Sequence, residues 1–330
     1  MKFKYLVIGS NSFSGSHFVR YLIEKNHSVL GVSRSNEINK TFLPYKWNNK
    51  NKKFKFYKFN LNTQLSFLLK LIRKFKTKYI INFAAQGMVE QSWLFPGHWY
   101  ETNLLSQVKL HDQLRKIKTI KKYIHITTPE VYGNTKSWVK ENFNFKPSTP
   151  YAVSRAACDI HLKSFHKNYK FPVIFTRAAN VFGPGQQLYR IVPKAMICAR
   201  LGKKINLHGG GKSKRSFVYI EDVCEALYKI LEKGKIGETY HVSTNKILTI
   251  RDLVKKICSM TSVKFNDLVK ISKERKGKDH AYLLNTSKIR KQLKWRDKTS
   301  LEAGMKETLR WIDRDLNYLK KIPREYKHKI

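Results

Sequence analysis

Through the first half of the chain, short apolar runs alternate with stretches whose apolar residues recur at helical spacing. KYLVIGS, Lys4 to Ser10, reads as a buried strand, and SHFVRYLIEKN, from Ser16, as a helix. HSVLGVSRS and KFYKFNLN read as the second and third strands, LSFLLKLIRKF as a helix and KYIINFAAQ as the fourth strand. NLLSQVKLHDQLRKI is a helix, KKYIHITTPE a fifth strand and FPVIFTRAANVFG a sixth. Strands alternating with helices predict an α/β fold, a doubly wound parallel sheet covered on both faces. After Gly183 the pattern loosens into the glycine-rich turns GPGQQ and HGGGKSKRS. ETYHVS, near residues 238–243, reads as a strand returning to the sheet, and SLEAGMKETLRWI as a final helix. The expected division is 1–180 for the sheet domain and 181–330 for a smaller, mainly helical lobe over the carboxyl ends of the strands. NNKNKKFK reads as a loop, and QSWLFPGHW, with Trp93 and Trp99, as a loop over a pocket.

At 330 residues and 42% hydrophobic, the chain has enough apolar material for one large core or two linked ones. No apolar run reaches the ~18 residues that a membrane span requires. The start leads straight into a glycine turn and not into a cleavage site, so no secretory leader is expected. Cys158, Cys198, Cys224 and Cys258 lie far apart without a CxxC pair, which fits a reduced cytoplasmic setting. The formal net charge is +43, but lysine is spread from Lys2 to Lys329 with no aromatic-interleaved basic motif. That distribution reads as a solvated surface and not as a nucleic-acid site, although its field draws anionic small molecules. His161, His166, His208 and His241 have no metal-ligand spacing, and no metal is expected. His125 reads as a satisfied sheet residue.

GSNSFSG, Gly9 to Gly15, sits between the first strand and the first helix. This is where a Rossmann-type sheet turns its chain around a dinucleotide: glycines permit the turn and the approach of the pyrophosphate, and the helix amides hold the phosphates. Ser12 stands where the middle glycine of that pattern would be. The second strand ends in Ser33 and Arg34, where a ribose-binding carboxylate would favour NAD. A serine and an arginine there accept a 2′-phosphate, so NADP is expected, with NAD the alternative.

The fifth strand ends in HITTPEVYGN, which a parallel sheet presents to the ligand crevice. Tyr151 and Arg155, four apart, share one face of a helix. A phenol beside a cation has its pKa lowered and takes a proton from a sugar hydroxyl while a hydride leaves the same carbon for nicotinamide. Thr128 hydrogen-bonds the same hydroxyl, and Glu130 is the candidate base for a second proton.

These motifs resemble the extended short-chain dehydrogenase/reductases, the epimerase/dehydratase family, and within it the dTDP-glucose and GDP-mannose 4,6-dehydratases. GSNSFSGSH resembles the glycine loop, FAAQ the fourth-strand motif, TTPEVYG the Thr-x-Glu segment and PSTPYAVSRAACD the tyrosine helix. ETN resembles the segment whose asparagine, Asn103, supports the active-site backbone. TRAANVFGPGQ and KRSFVYIEDV resemble substrate segments. The resemblance implies cofactor contacts at Gly9, Asn11, Ser12, Phe13, Gly15, Ser33, Arg34, Asn60, Leu61, Ala84 and Ala85, besides Tyr151 and Arg155. It implies contacts to a sugar nucleotide at Asn180, Arg190, Arg215 and Arg275, and a homodimer through the helices around Gln107 and Tyr151. The implied reaction is an internal redox elimination giving a 4-keto-6-deoxy sugar nucleotide. Tyr151 takes the 4-hydroxyl proton, Glu130 the C5 proton, water leaves C6 and the hydride returns there. Two positions depart from the family. Pro129 stands where the dTDP-glucose enzymes have an acidic aspartate, and Arg155 stands where a lysine is usual. They keep open a 4-epimerase, an elimination across C5 and C6, and a catalytically silent sugar-nucleotide binder.

Overall fold

The computed structural model describes residues 3–48, 53–274, 277 and 279–328. Residues 49–52 of the expected lysine- and asparagine-rich loop, and Arg275, lie outside the described residues. From the amino end the chain forms β1 (Tyr5–Ile8), α1 (Phe13–Glu24), β2 (Val29–Ser33), β3 (Phe54–Lys58), α2 (Leu65–Phe75) and β4 (Tyr79–Asn82). There follow α3 (Val89–Leu94), α4 (Pro96–Tyr100), a π-helical turn at Glu101–Leu105, α5 (Ser106–Leu114), β5 (Lys122–Thr127), α6 (Pro150–Tyr169), β6 (Val173–Ala178) and β7 (Asn180–Phe182). The second half contains α7 (Ile191–Arg200), β8 (Ile205–His208), β9 (Lys214–Arg215), β10 (Phe217–Tyr219), α8 (Ile220–Lys233) and β11 (Thr239–Val242). It ends with β12 (Leu248–Thr249), α9 (Ile250–Thr261), α10 (Phe265–Leu268), β13 (Val269–Ser272), α11 (Ser287–Leu293) and α12 (Leu301–Arg314).

Seven strands form one parallel sheet in the order β11-β6-β5-β4-β1-β2-β3. The strand order reverses between β1 and β4, which opens a crevice at the carboxyl ends of these strands. Continuous aliphatic runs suit strands covered on both faces, because successive side chains point to opposite sides. Tyr5, Val7, Val29, Ile81, Ile124 and Ile174 face one core with α1 and α8. Leu6, Ile8, Leu30, Val32, Ile80 and Phe175 face the other, with α2, α5 and α6. A third core joins α7, α9 and α12 through Met196, Leu253, Ile257, Met305 and Ile312. The lobe that this core defines is mainly helical but also carries three two-stranded pairings, β7 with β10, β8 with β13 and β9 with β12.

The first helix begins three residues earlier than its apolar spacing suggested, because Ser12 caps it and draws Phe13 into the first turn. The expected loop at QSWLFPGHW is two short helices, α3 and α4, with Pro96 at the first position of the second. Trp99 is fully buried there and stacks on His328 at 5.0 Å, while Trp93 lies exposed, so neither reaches the central cavity.

Candidate active site

The glycine turn is shaped by close approach. Gly9 has φ +84°, and a Cβ there would press on the Phe83–Ala84 backbone at 3.0–3.1 Å. A Cβ on Gly15 would collide with the Gly9 carbonyl. Ser12 braces this turn: its hydroxyl donates to the Gly9 carbonyl at 2.7 Å and accepts from the Gly15 amide at 3.1 Å. Asn11 clamps the turn to the segment after β2. Its amide donates to Ser33 Oγ at 2.9 Å, and its side chain donates to the Ser35 and Asn36 carbonyls at 3.1 Å.

A cavity of about 940 Å³ opens at the carboxyl ends of the strands. It brings together Ser12, Phe13, Arg34, Ala85, Thr128, Glu130, Tyr151, Arg155, Asn180, Arg190 and Arg215 from the expected set. Gly9, Asn11, Gly15, Ser33, Asn60, Leu61 and Ala84 are not among its lining residues. Asn60 closes a turn with the Asn62 amide at 3.0 Å, and the Ala84 amide is held by Asn82 at 2.9 Å. Tyr326, from the carboxyl-terminal segment, also lines the cavity and meets Tyr189 edge-on at 5.3 Å. Nothing in its local sequence marks it as a site residue.

Thr128 and Glu130 occupy a tight turn at Pro129–Tyr132 that follows β5. Thr128 Oγ1 caps the Glu130 amide at 3.3 Å, and Pro129 sits at the first helical position, where no amide hydrogen is needed. Glu130 Oε2 is closed off from solvent without a hydrogen-bond partner among the described residues. Burial pushes the carboxyl up to about 7, with Asp279 reinforcing and Arg215 and Arg190 opposing.

Tyr151 enters on the first turn of α6, whose amino end is capped by Thr149. Its phenol stands above its ordinary pKa, a correction to the expectation of a lowered value. Burial and the neighbouring Glu130 raise it, and together they outweigh Arg155 and the hydrogen bond from Thr128, which lower it. Arg155 acts in the direction expected but does not prevail in the free chain.

Arg155 is buried, and one guanidinium nitrogen, Nη2, donates to the Ile126 carbonyl and lies 3.4 Å from His125 Nε2. Its Nε and Nη1 have no hydrogen-bond partner among the described residues. Orphaned buried donors of this kind are costly unless a ligand meets them. Behind it, Asp159 accepts from Arg177 at 2.8 Å and lies 3.3 Å from His125. Burial pushes the Asp159 carboxyl up, but Arg177 and His125 overcome this and hold it below the usual carboxylate range. His125 is thus a sheet residue packed beside the Asp159–Arg177 ion pair, but its Nδ1 has no hydrogen-bond partner among the described residues, so it falls short of the satisfied residue expected. Asn103, in the π-helical turn, accepts the Gln86 amide at 2.8 Å and donates to the Gln86 carbonyl at 3.0 Å and to Ser154 at 3.1 Å. It thereby joins the loop after β4 to the tyrosine helix.

The parallel sheet, its glycine turn and a tyrosine–arginine pair facing a Thr-x-Glu turn define an extended short-chain dehydrogenase/reductase fold and site. Residues 6–308 match the model of the family described as GDP-mannose 4,6 dehydratase. The chain belongs to that family. It is 28% identical to the dTDP-glucose 4,6-dehydratase of Haemophilus influenzae, over 93% of this chain and 96% of the other. It is 28% identical to the human dTDP-D-glucose 4,6-dehydratase, over 96% and 92%. A Streptomyces venezuelae dTDP-glucose 4,6-dehydratase solved with NAD superposes with TM-score 0.88 at 26% identity, covering 95% of this chain and 98% of that one. A UDP-glucose 4-epimerase of Thermotoga maritima superposes with TM-score 0.85 at 27% identity, covering 94% and 99%.

Proposed function

We propose that the chain is a nucleotide-sugar 4,6-dehydratase using a nicotinamide dinucleotide held at the glycine turn. The single observation that carries this reading is the buried Glu130 carboxyl, unpartnered at Oε2, beside Tyr151 in a cavity lined by four arginines, Arg34, Arg155, Arg190 and Arg215. Exchanging the configuration at C4 needs no base for C5, so a 4-epimerase leaves this carboxyl without work. The collision that a Cβ at Gly15 would cause and the orphaned Arg155 donors suit a dinucleotide. Residues 1–180 supply its contacts and residues 181–330, through Arg190 and Arg215, those of the sugar diphosphate.

A bound oxidised nicotinamide supplies the acceptor and later the donor of the hydride. Tyr151 would accept the proton of the sugar 4-hydroxyl as a phenolate, a form disfavoured in the free chain and favoured by the positive charge of a bound oxidised nicotinamide beside Arg155, with Thr128 orienting the hydroxyl. Once C4 is a ketone the C5 hydrogen is acidic, and Glu130 takes it. Pro129 cannot donate, so the same Glu130 hands that proton to the C6 hydroxyl, which leaves as water. The proton first taken by Tyr151 passes through Glu130 to C5, and the protons balance with one carboxyl. A carboxyl with a pKa of about 7 suits both roles, being a stronger base than an ordinary carboxylate and still an acid near neutrality.

For the phosphate-bearing dinucleotide, NADP, the reading rests on Ser33 and Arg34 at the end of β2. The four buried free cysteines fit a reducing cytoplasm. No described helix is long and apolar enough to cross a membrane. Exposed Leu105, Val153 and Ile160 along the π-helical turn and α6 favour a homodimer through these helices. Incubation with dTDP-glucose, GDP-mannose, UDP-glucose or UDP-N-acetylglucosamine and either dinucleotide, read by mass spectrometry, tests the function. Loss of one water from one of them is expected. An unchanged mass with an altered sugar NMR spectrum indicates epimerisation and overturns the proposal, as does binding without turnover of any of them.

A further inference from the structure

Residues 279–282 join three parts of the site that chain order keeps apart. Asp279 is 6% exposed, and its two carboxylate oxygens accept the Ser148 hydroxyl at 3.0 Å. Tyr282 donates its phenol to the same carboxylate at 2.9 Å. Ser148 lies three residues before Tyr151, at the entry to α6. The Asp279 carbonyl accepts Arg215 Nη2 at 2.8 Å, and the His280 carbonyl accepts Arg215 Nη1 at 3.0 Å. The Arg215 guanidinium also lies 4.3 Å over the Tyr282 ring. The Ala281 amide donates to the Asn134 side chain at 3.0 Å, and its carbonyl accepts the Thr135 amide at 3.1 Å, just beyond the turn of Glu130.

We propose that Asp279 is a positioning residue for the dehydration, fixing the entry of the tyrosine helix against the strand of Arg215 and setting the negative charge that Glu130 faces. The inference rests on the function proposed above. The groups bearing on Glu130 are Arg215 and Arg190, which favour its ionised form, and Asp279, Tyr151 and Tyr282. Of these, Asp279 opposes ionisation and so makes Glu130 the stronger base toward C5. Where Pro129 removes a separate acid, one carboxyl has to both take and give a proton. Its proton affinity then decides the rate, and a second carboxylate held by two hydroxyls is a fixed means of setting it.

The test compares the full-length parent with Asp279→Asn, which keeps the shape and removes the charge, on whichever sugar nucleotide the parent dehydrates. KM is expected to stay within about threefold and kcat to fall about tenfold. The acid limb of the kcat–pH profile, where Glu130 must be ionised, is expected to move down by roughly half to one pH unit. Tyr282→Phe keeps the charge and is expected to leave that limb in place. A limb that coincides with the parent's in Asp279→Asn, or a loss confined to KM, overturns the inference. If Asp279→Asn does not fold, the double variant Ser148→Ala/Tyr282→Phe tests the positioning half: kcat is expected to fall with KM kept, and an unchanged kcat overturns it. A parent inactive on every sugar nucleotide refutes the function instead. The melting temperature then still reads the charge on Glu130. Asp279→Asn is expected to gain about 1–2 °C on the parent between pH 5.5 and 8.5, and parallel curves overturn the inference.

Discussion

Replacing Glu130 by glutamine tests the site without any substrate. The carboxyl stands at about 7 instead of 4.5, because burial disfavours its charge. A folded-state pKa raised above the unfolded value means that the unfolded chain ionises first. The native state therefore loses stability as pH rises from about 4.5 through 7. At 1.36 kcal/mol per pH unit the full rise is worth about 3 kcal/mol, and about 2 kcal/mol once the residue's partial exposure is allowed for. The glutamine never ionises, so its steric and hydrogen-bond differences from the parent are the same at every pH. The expected result is that Glu130→Gln gains about 2 kcal/mol on the parent between pH 4.5 and 8.5. For 330 residues this is about 3 °C in melting temperature. The assay is a series of thermal melts of both proteins in matched buffers across that range. Parallel curves would refute the reasoning, since they require Glu130 to titrate like a solvated carboxylate.

Tyr151→Phe should lower turnover by at least about a thousandfold while the dinucleotide still binds, as checked by its absorbance after gel filtration. Arg155→Lys should retain activity within about tenfold, because it keeps the charge beside Tyr151 although it loses the planar donors. A complete loss there would show that the guanidinium itself is required. Gly15→Ala should weaken dinucleotide binding about a hundredfold or more and lower the melting temperature, because its Cβ meets the Gly9 carbonyl and not a side chain able to turn away. Fluorescence titration and a thermal melt check both.

The parallel sheet is legible because its strands are short aliphatic runs, each bounded by a glycine turn or a helix of opposite periodicity. YLVI and YIIN are buried nearly throughout, and such strands leave little choice of fold. The pairs Tyr151/Arg155 and Thr128/Glu130 are legible because their members sit within four residues, and local spacing is what a sequence displays directly. The strap at Asp279 and the tail residue Tyr326 are not, because they reach the site from the far end of the chain through tertiary packing alone. The direction of the Tyr151 shift escapes the sequence for a related reason. Arg155 is visible four residues away, whereas the burial and the charge of Glu130 that outweigh it exist only in the folded cavity. The helices α3 and α4 read as a loop because Phe95, Pro96 and Gly97 interrupt the pattern, and each helix is too short to show a period of its own.

β11 completes the sheet beside β6, and α8 covers the face that α1 leaves open, yet both are made after residue 219. The amino-terminal 180 residues by themselves would expose the flank of β6 and the inner side of α1 to water. A ribosome must therefore release nearly three quarters of the chain, through Val242, before the dinucleotide wall can close. The proposed division of labour between cofactor and sugar is thus not a seam along which the molecule can be cut, and a chain truncated after residue 180 would be expected to aggregate and not to bind.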